Sequence, residues 1–299
     1  MTRTWSILRL AMAVLIVAAM TAEFRGALST PPAEGSSLAT VVVNYFSYFT
    51  IESNLFAVAA LLSAGVWTLT RRHQAPTWIA VLMAAATTFM TITGLVYNLL
   101  LRGLVPAAHP WANEILHLIG PLFLVVDLFI APRRRLPWRT VGTIIAFPIL
   151  WAAYTLIRGE HVVSPLTGDP WWYPYPFLNH HLQGGYEVVI AYVIGIAAAF
   201  TLVAWGVVAV GRRRGPTESA SVIISPDQPV ERVIDGETFR INQDPDTPGL
   251  YHLDWLSGPN PDYGFSSRVS DGRQQSEAEL DDEIRTFLAQ VDPKTGYID

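Results

Sequence analysis

Cysteine is absent from this 299-residue chain, which excludes a disulfide framework, an iron–sulfur centre, a zinc ribbon and a thiol nucleophile. Charge is scarce: 15% of residues are Asp, Glu, Lys or Arg, against about 25% in a soluble globular domain. An ordinary cytosolic enzyme is a poor fit to that figure. Lysine is missing from residues 1–214, whose basic side chains are 14 of the chain's 20 and whose acids are only 8 of its 25. Residues 215–299 hold the other 6 basic and 17 acidic residues, so that segment lacks the basic footprint nucleic acid requires. What is present in quantity is apolar: 51% of residues are hydrophobic and the mean hydropathy is +0.31.

A bilayer core about 30 Å thick is crossed by roughly 20 apolar helical residues. Six stretches reach that length: Trp5–Phe24, Asn44–Leu69, Thr77–Leu101, Ala112–Ala131, Trp138–Ile157 and Tyr186–Val210. The first is too long for a signal-peptide core and no A-x-A cleavage site follows it, so it reads as a retained span. Arg3, Arg9, Arg71, Arg72, Arg133–Arg135, Arg139 and Arg212–Arg214 fall on one side of a six-span arrangement; Arg25, Arg102 and Arg158 fall on the other. By the positive-inside rule both termini are expected in the cytoplasm, and the expected location is the plasma membrane.

After Arg214, Gly215–Ser225 reads as a linker. Asp235-Gly236 between Val230–Ile234 and Glu237–Ile241 is a two-residue hairpin signal. Ser276-Glu277-Ala278-Glu279 has the capping-box pattern and opens an amphipathic run with Leu280, Ile284, Phe287, Leu288 and Val291 on one face, ending before Pro293. Gln243–Asp262, rich in Pro, Gly and Asp, reads as structured or as disordered until a partner binds. The expected fold is an all-α membrane protein: a six-helix transmembrane bundle over residues 1–214, followed by a small acidic cytoplasmic tail (215–299), α+β or partly disordered.

Counted by depth, polar residues crowd the outer half of the spans: Glu23, Thr50, Glu52, Asn54, Thr91, Thr93, Asn98, Asn113, Glu114, His117 and Glu187. The outer loops add Glu160, His161, Asn179, His180 and His181 beside the aromatic run Trp171–Phe177; Asp127 is the exception in the inner half. Ionisable groups facing lipid cost about 2.5–3.5 kcal/mol on insertion scales, so a polar cavity open to the outer leaflet, with an aromatic lip, is predicted. Thr87, Thr88, Thr91 and Thr93 are expected simply to hydrogen-bond within the bundle. Thr50 and His117 come to matched depth within a helical turn. Imidazole is the usual base for a hydroxyl nucleophile, with Asn113 or Glu114 placed to hold the ring and Asn54 or Asn98 as donors to an oxyanion.

The segment Asn44-Tyr45-Phe46-Ser47-Tyr48-Phe49-Thr50-Ile51-Glu52-Ser53-Asn54-Leu55 resembles the threonine-bearing helix of the androgen-induced protein / androgen-dependent TFPI-regulating protein family. Trp111-Ala112-Asn113-Glu114-Ile115-Leu116-His117, followed by Pro121, resembles the same family's histidine helix. The resemblance spans roughly residues 40–210. The family's eukaryotic members are intramembrane threonine hydrolases acting on fatty acid esters of hydroxy fatty acids; the resemblance implies a hydrolase of lipid acyl esters here, with Thr50 as nucleophile, His117 as base and no cofactor or metal. Glu114 stands where eukaryotic relatives tend to carry a second histidine. The partners so implied are membrane lipids and a lipid ester substrate.

Three rival readings remain open. A metal-dependent hydrolase would use His180, His181 and Glu187 with His161 or His117. A lipid- or ion-binding protein or transporter would relay protons through Glu114, Asp127 and Glu187. In the third, the bundle anchors the tail, whose Leu280–Val291 face docks a cytoplasmic protein.

Overall fold

The computed structural model describes residues 3–70, 75–104, 108–131, 134–214, 229–260, 263–269, 274–292 and 295–298. Arg71, Arg72, Arg133, the linker Gly215–Ser225, Asp262 and Pro293 lie outside them. The chain divides into two compact units, Met1–Gly215 and Pro216–Asp299.

Among the described residues, six helices of the first unit are long and apolar enough to cross a membrane: α1 (Arg3–Ser29), α3 (Phe49–Thr70), α4 (Thr77–Leu101), α5 (Pro110–Ile130), α6 (Arg139–Gly159) and α7 (Tyr186–Arg214). A shorter apolar helix, α2 (Leu38–Ser47), precedes α3. Helix α3 packs between α1 and α4, α4 also packs on α5 and α7, and α6 lies on α7. Small residues make the close approaches: Ala13, Ala57, Ala60, Ala64 and Ala86 are all buried, as expected where helices associate by packing in an apolar solvent. At Gly94 of α4 an added Cβ would stand 3.1 Å from the Pro121 Cβ and 3.2 Å from the His117 carbonyl oxygen. A glycine there lets α5 lie against α4.

The expected second span, Asn44–Leu69, is two helices rather than one. Tyr48 is extended (φ −70°, ψ 127°) and separates α2 from α3. No Pro or Gly marks the break. The Tyr48 ring packs edge-on against Trp172 and Tyr175 from the loop after α6, so contacts distant in sequence hold the kink. Its consequence is that Thr50 stands in the first turn of α3 rather than well inside a continuous helix.

Toward the end bearing the N-terminus of α1, arginines donate to main-chain carbonyls of loops and of one helix end. Arg134 donates to the Ala75 carbonyl and Arg212 to that of Leu136, both in loops, while Arg214 donates to Leu128 in the last turn of α5, as cations at helix C-termini do. Deeper in, Arg9 of α1 grips Asp127 of α5 through two hydrogen bonds of 2.8 and 2.9 Å. Trp5 Nε1 adds a third at 2.6 Å. Both charged side chains are almost wholly buried, at 5% and 0% exposure.

In the second unit, β1 (Val230–Ile234), β2 (Glu237–Gln243), β3 (Leu250–Trp255) and β4 (Gly264–Arg268) form an antiparallel meander in sequence order. Asp235 and Gly236 both take positive φ (53° and 90°), the turn that the right-handed strand twist favours. Gln243–Asp262, expected to be structured or disordered, contains β3. Helix α8 (Glu277–Leu288) starts with the predicted capping box between Ser276 and Glu279. Leu280, Ile284 and Phe287 pack on Phe239, Ile241, Leu253 and Trp255. The face expected to dock a cytoplasmic protein is thus buried on the unit's own sheet, because that sheet has an apolar side of its own to cover.

Candidate active site

Three segments of the first unit meet at the Thr50 hydroxyl: α3, α5 and the loop after α6. Its Oγ1 lies 3.3 Å from His117 Nε2 and 3.2 Å from the Tyr175 hydroxyl. The Thr50 amide donates to the same phenol oxygen at 3.1 Å. His117 Nδ1 stands 3.0 Å from the Asn113 carbonyl oxygen. A carbonyl can only accept, so Nδ1 carries the proton and Nε2 presents its lone pair to Thr50. The imidazole is stacked on Tyr97, ring centroids 3.8 Å apart, and Asn113 Nδ2 donates to the Tyr97 hydroxyl at 2.7 Å. The ring is therefore fixed in plane and in tautomer.

The backbone around it is irregular. Tyr97–Leu101 at the end of α4 and Ile115–Ile119 within α5 are single π turns, which free carbonyls that an α-helix would use and which recur at functional sites. Asn54 Nδ2 donates to the Thr50 carbonyl (2.8 Å) and the Leu116 carbonyl (3.4 Å). Asn98 Nδ2 donates to those of Gly94 (2.7 Å) and His117 (3.0 Å). The two amides expected to face an oxyanion are instead engaged in holding the turn that bears His117. Glu114, expected as a holder of the ring, forms a two-pronged pair with Arg102 at 2.7 and 3.0 Å. It is the Asn113 main chain, not either side chain, that orients the histidine.

Beside Thr50 lies a cavity of about 320 Å³ between α3, α4, α6 and α7, at the small end of ligand-pocket volumes. The polar side-chain atoms on its wall belong to Thr50, Thr93, Tyr97, Trp151 and Tyr175; the remainder is apolar, including Phe49, Ile92, Ile149 and Phe200. A polar, wet hollow was expected. The wall is apolar because the polar groups satisfy one another: Ser53 pairs with Thr93 at 2.9 Å, and Thr87, Thr88 and Thr91 donate back to Met83, Ala84 and Thr87 carbonyls. Asp127 is held by Arg9 and Trp5 at the opposite side of the bundle's depth, and Glu187 is exposed. The three acids that a proton relay would need thus stand apart, Glu114 and Asp127 each in its own ion pair and Glu187 exposed.

Tyr175, which the aromatic run suggested only as interface lining, is the residue that sequence reasoning missed. Burial pushes its phenol up to about 12, so it stays a neutral O–H at physiological pH. Having accepted the Thr50 amide, its own proton is available. On the same loop, His180 and His181 meet Glu160, not Glu187 or His117. The Tyr173 hydroxyl donates to Glu160 at 2.5 Å and holds that carboxyl below the usual range.

No family model, no curated protein and no solved structure matches the chain.

Proposed function

We propose that the chain is a multi-pass membrane hydrolase that cleaves lipid acyl esters through an acyl-threonine intermediate. The observation that carries this reading is the Thr50–His117 contact with its imidazole already in the base tautomer, set at the edge of an apolar cavity. His117 Nε2 takes the Thr50 proton as Oγ1 attacks the ester carbonyl. The Tyr175 O–H donates to the resulting oxyanion, and donors of this kind stabilise charge that exists only in the transition state. The intermediate collapses to acyl-Thr50, and the imidazolium returns its proton to the departing alcohol. A water, deprotonated by His117, then releases the carboxylic acid and restores the hydroxyl. A separation of 3.3 Å is long for an O–H···N bond, as is common before substrate closes a site.

The apolar wall suits an acyl chain and supports a lipid ester over a polar one. The arginine asymmetry supports cytoplasmic termini, with Thr50 in the outer half of a plasma membrane. The resemblance of the two helix motifs to the threonine-hydrolase family points the same way. A fluorophosphonate probe tests the proposal: wild type and Thr50→Ser are expected to label, while Thr50→Ala and His117→Ala are not. Equal labelling of all four ends it. The apolar cavity also favours a second reading, lipid binding without chemistry. Under that reading Thr50→Ala retains a bound fatty acyl ligand and no variant differs in labelling.

A further inference from the structure

The loop joining α6 to α7 carries a second constellation that the ester chemistry does not use. Oε1 of Glu160 lies 3.3 Å from His181 Nε2 and 3.4 Å from His180 Nδ1, and all three ligand atoms stand within 4.8 Å of one another. Ligand atoms held about 2.0–2.1 Å from a tetrahedral zinc stand about 3.3 Å apart, by the geometry of the tetrahedron. Both short separations match that edge. His180 Nδ1 is buried and makes no hydrogen bond, to Glu160 or to anything else among the described residues.

Adjacent histidines seldom share one ion because their side chains diverge. Here they converge by reaching with different atoms: His180 with its near nitrogen, His181 with its far one. The surroundings fix that geometry. His180 is stacked on Tyr186 and His181 on Trp171, at 4.0 and 3.8 Å between centroids. Asn179 caps the turn His180–Gln183 by accepting the His181 amide at 3.0 Å. Tyr173 hydrogen-bonds the carboxylate oxygen, the outer contact that ligating carboxylates commonly have.

We propose that Glu160, His180 and His181 bind one divalent transition-metal ion of the zinc class, leaving a fourth position for water. The ion joins the end of α6 to the start of α7 and closes the loop between them. Tyr175 lies on that loop and touches Thr50, so the metal acts as a clip that holds the phenol in place. The site does not depend on Thr50 being a nucleophile.

The test uses the full-length, tag-free chain in detergent, stripped with a chelator, reloaded with zinc chloride and desalted. Wild type is expected to keep about one zinc per chain by elemental analysis. Glu160→Gln and His180→Ala/His181→Ala are expected to keep none, and His161→Ala, altering a neighbouring exposed histidine, to keep its zinc. Amide exchange across residues 160–185 should slow on zinc addition in wild type and His161→Ala, and stay unchanged in the other two. A wild type that retains no zinc overturns the proposal. Retention by the ligand variants, or loss from His161→Ala as large as theirs, does so too. Should the double variant fail to fold, Glu160→Gln alone decides the matter.

Discussion

The two units of this chain both have buried apolar clusters but differ in what else they enclose and in what they leave outside. In the helical unit many large apolar side chains face outward, with Leu99, Ile157 and Leu202 at 76%, 70% and 69% exposure, while Ser53, Asn54 and Asp127 are fully enclosed beside buried apolar residues such as Leu61 and Phe89. In the C-terminal unit Phe239, Ile241, Leu253 and Ile284 are enclosed, and charged pairs such as Arg240–Glu231 stand at the surface. Water drives apolar burial in the second unit. A bilayer supplies no such drive between helices, so packing of small residues and internal hydrogen bonds select the arrangement. The same chemical interaction should therefore weigh very differently in the two places.

The ion pairs make the contrast measurable. Asp127→Ala, which strands Arg9 in the interior, is expected to cost about 3–5 kcal/mol, read as a large fall in melting temperature in detergent. The double change Arg9→Met with Asp127→Leu should recover most of it, since matched apolar replacement of a buried pair is often neutral. A single variant as mild as a surface pair would break the comparison. Tyr175→Phe keeps the ring and deletes the donor. It should lower the melt only modestly, since the Thr50 amide loses its acceptor, and lower ester turnover about 10²–10³-fold, as loss of one oxyanion donor does. An unchanged rate would remove Tyr175 from the mechanism.

On the surface of the second unit, Arg240→Ala should cost under about 1 kcal/mol and less still at high salt, measured by amide exchange of β1 and β2. The smallest effect belongs to Asp244, whose carboxyl is held below its ordinary value first by His252 and also by the amides of Thr247 and Asp246. A depressed carboxylate stabilises the fold above its unfolded value, about 3.9, and loses that contribution as pH falls through the folded one. The gap in protease protection between wild type and Asp244→Asn should therefore be constant at neutral pH and close only in strong acid. A gap that opened toward acid would reverse the assignment.

What could be read in the residues alone follows the range of the forces involved. Twenty apolar residues in a row announce a span because insertion depends on local composition, and all six such helices are present. The hairpin at Asp235-Gly236 and the Ser276 cap were legible for the same reason: each is settled within four residues. The kink at Tyr48 was not, since Trp172 and Tyr175 make it from more than a hundred residues away. Helical rise placed Thr50 and His117 near one depth, yet it could not say which atoms hold the ring. The π turn hands that task to the Asn113 carbonyl and gives Asn54 and Asn98 to freed carbonyls. Tyr175 was hidden in a stretch whose composition also suits any membrane interface.

The Arg9–Asp127 clasp has a consequence for how the protein is made. The aspartate is 118 residues downstream of the arginine, so at about 5–20 residues per second the ribosome delivers it on the order of ten seconds later. During that interval the first helix carries an uncompensated cation. The pair can close only once α5 has been made, so the joining of α1 to α5 is a docking event rather than a sequential laying-down of helices.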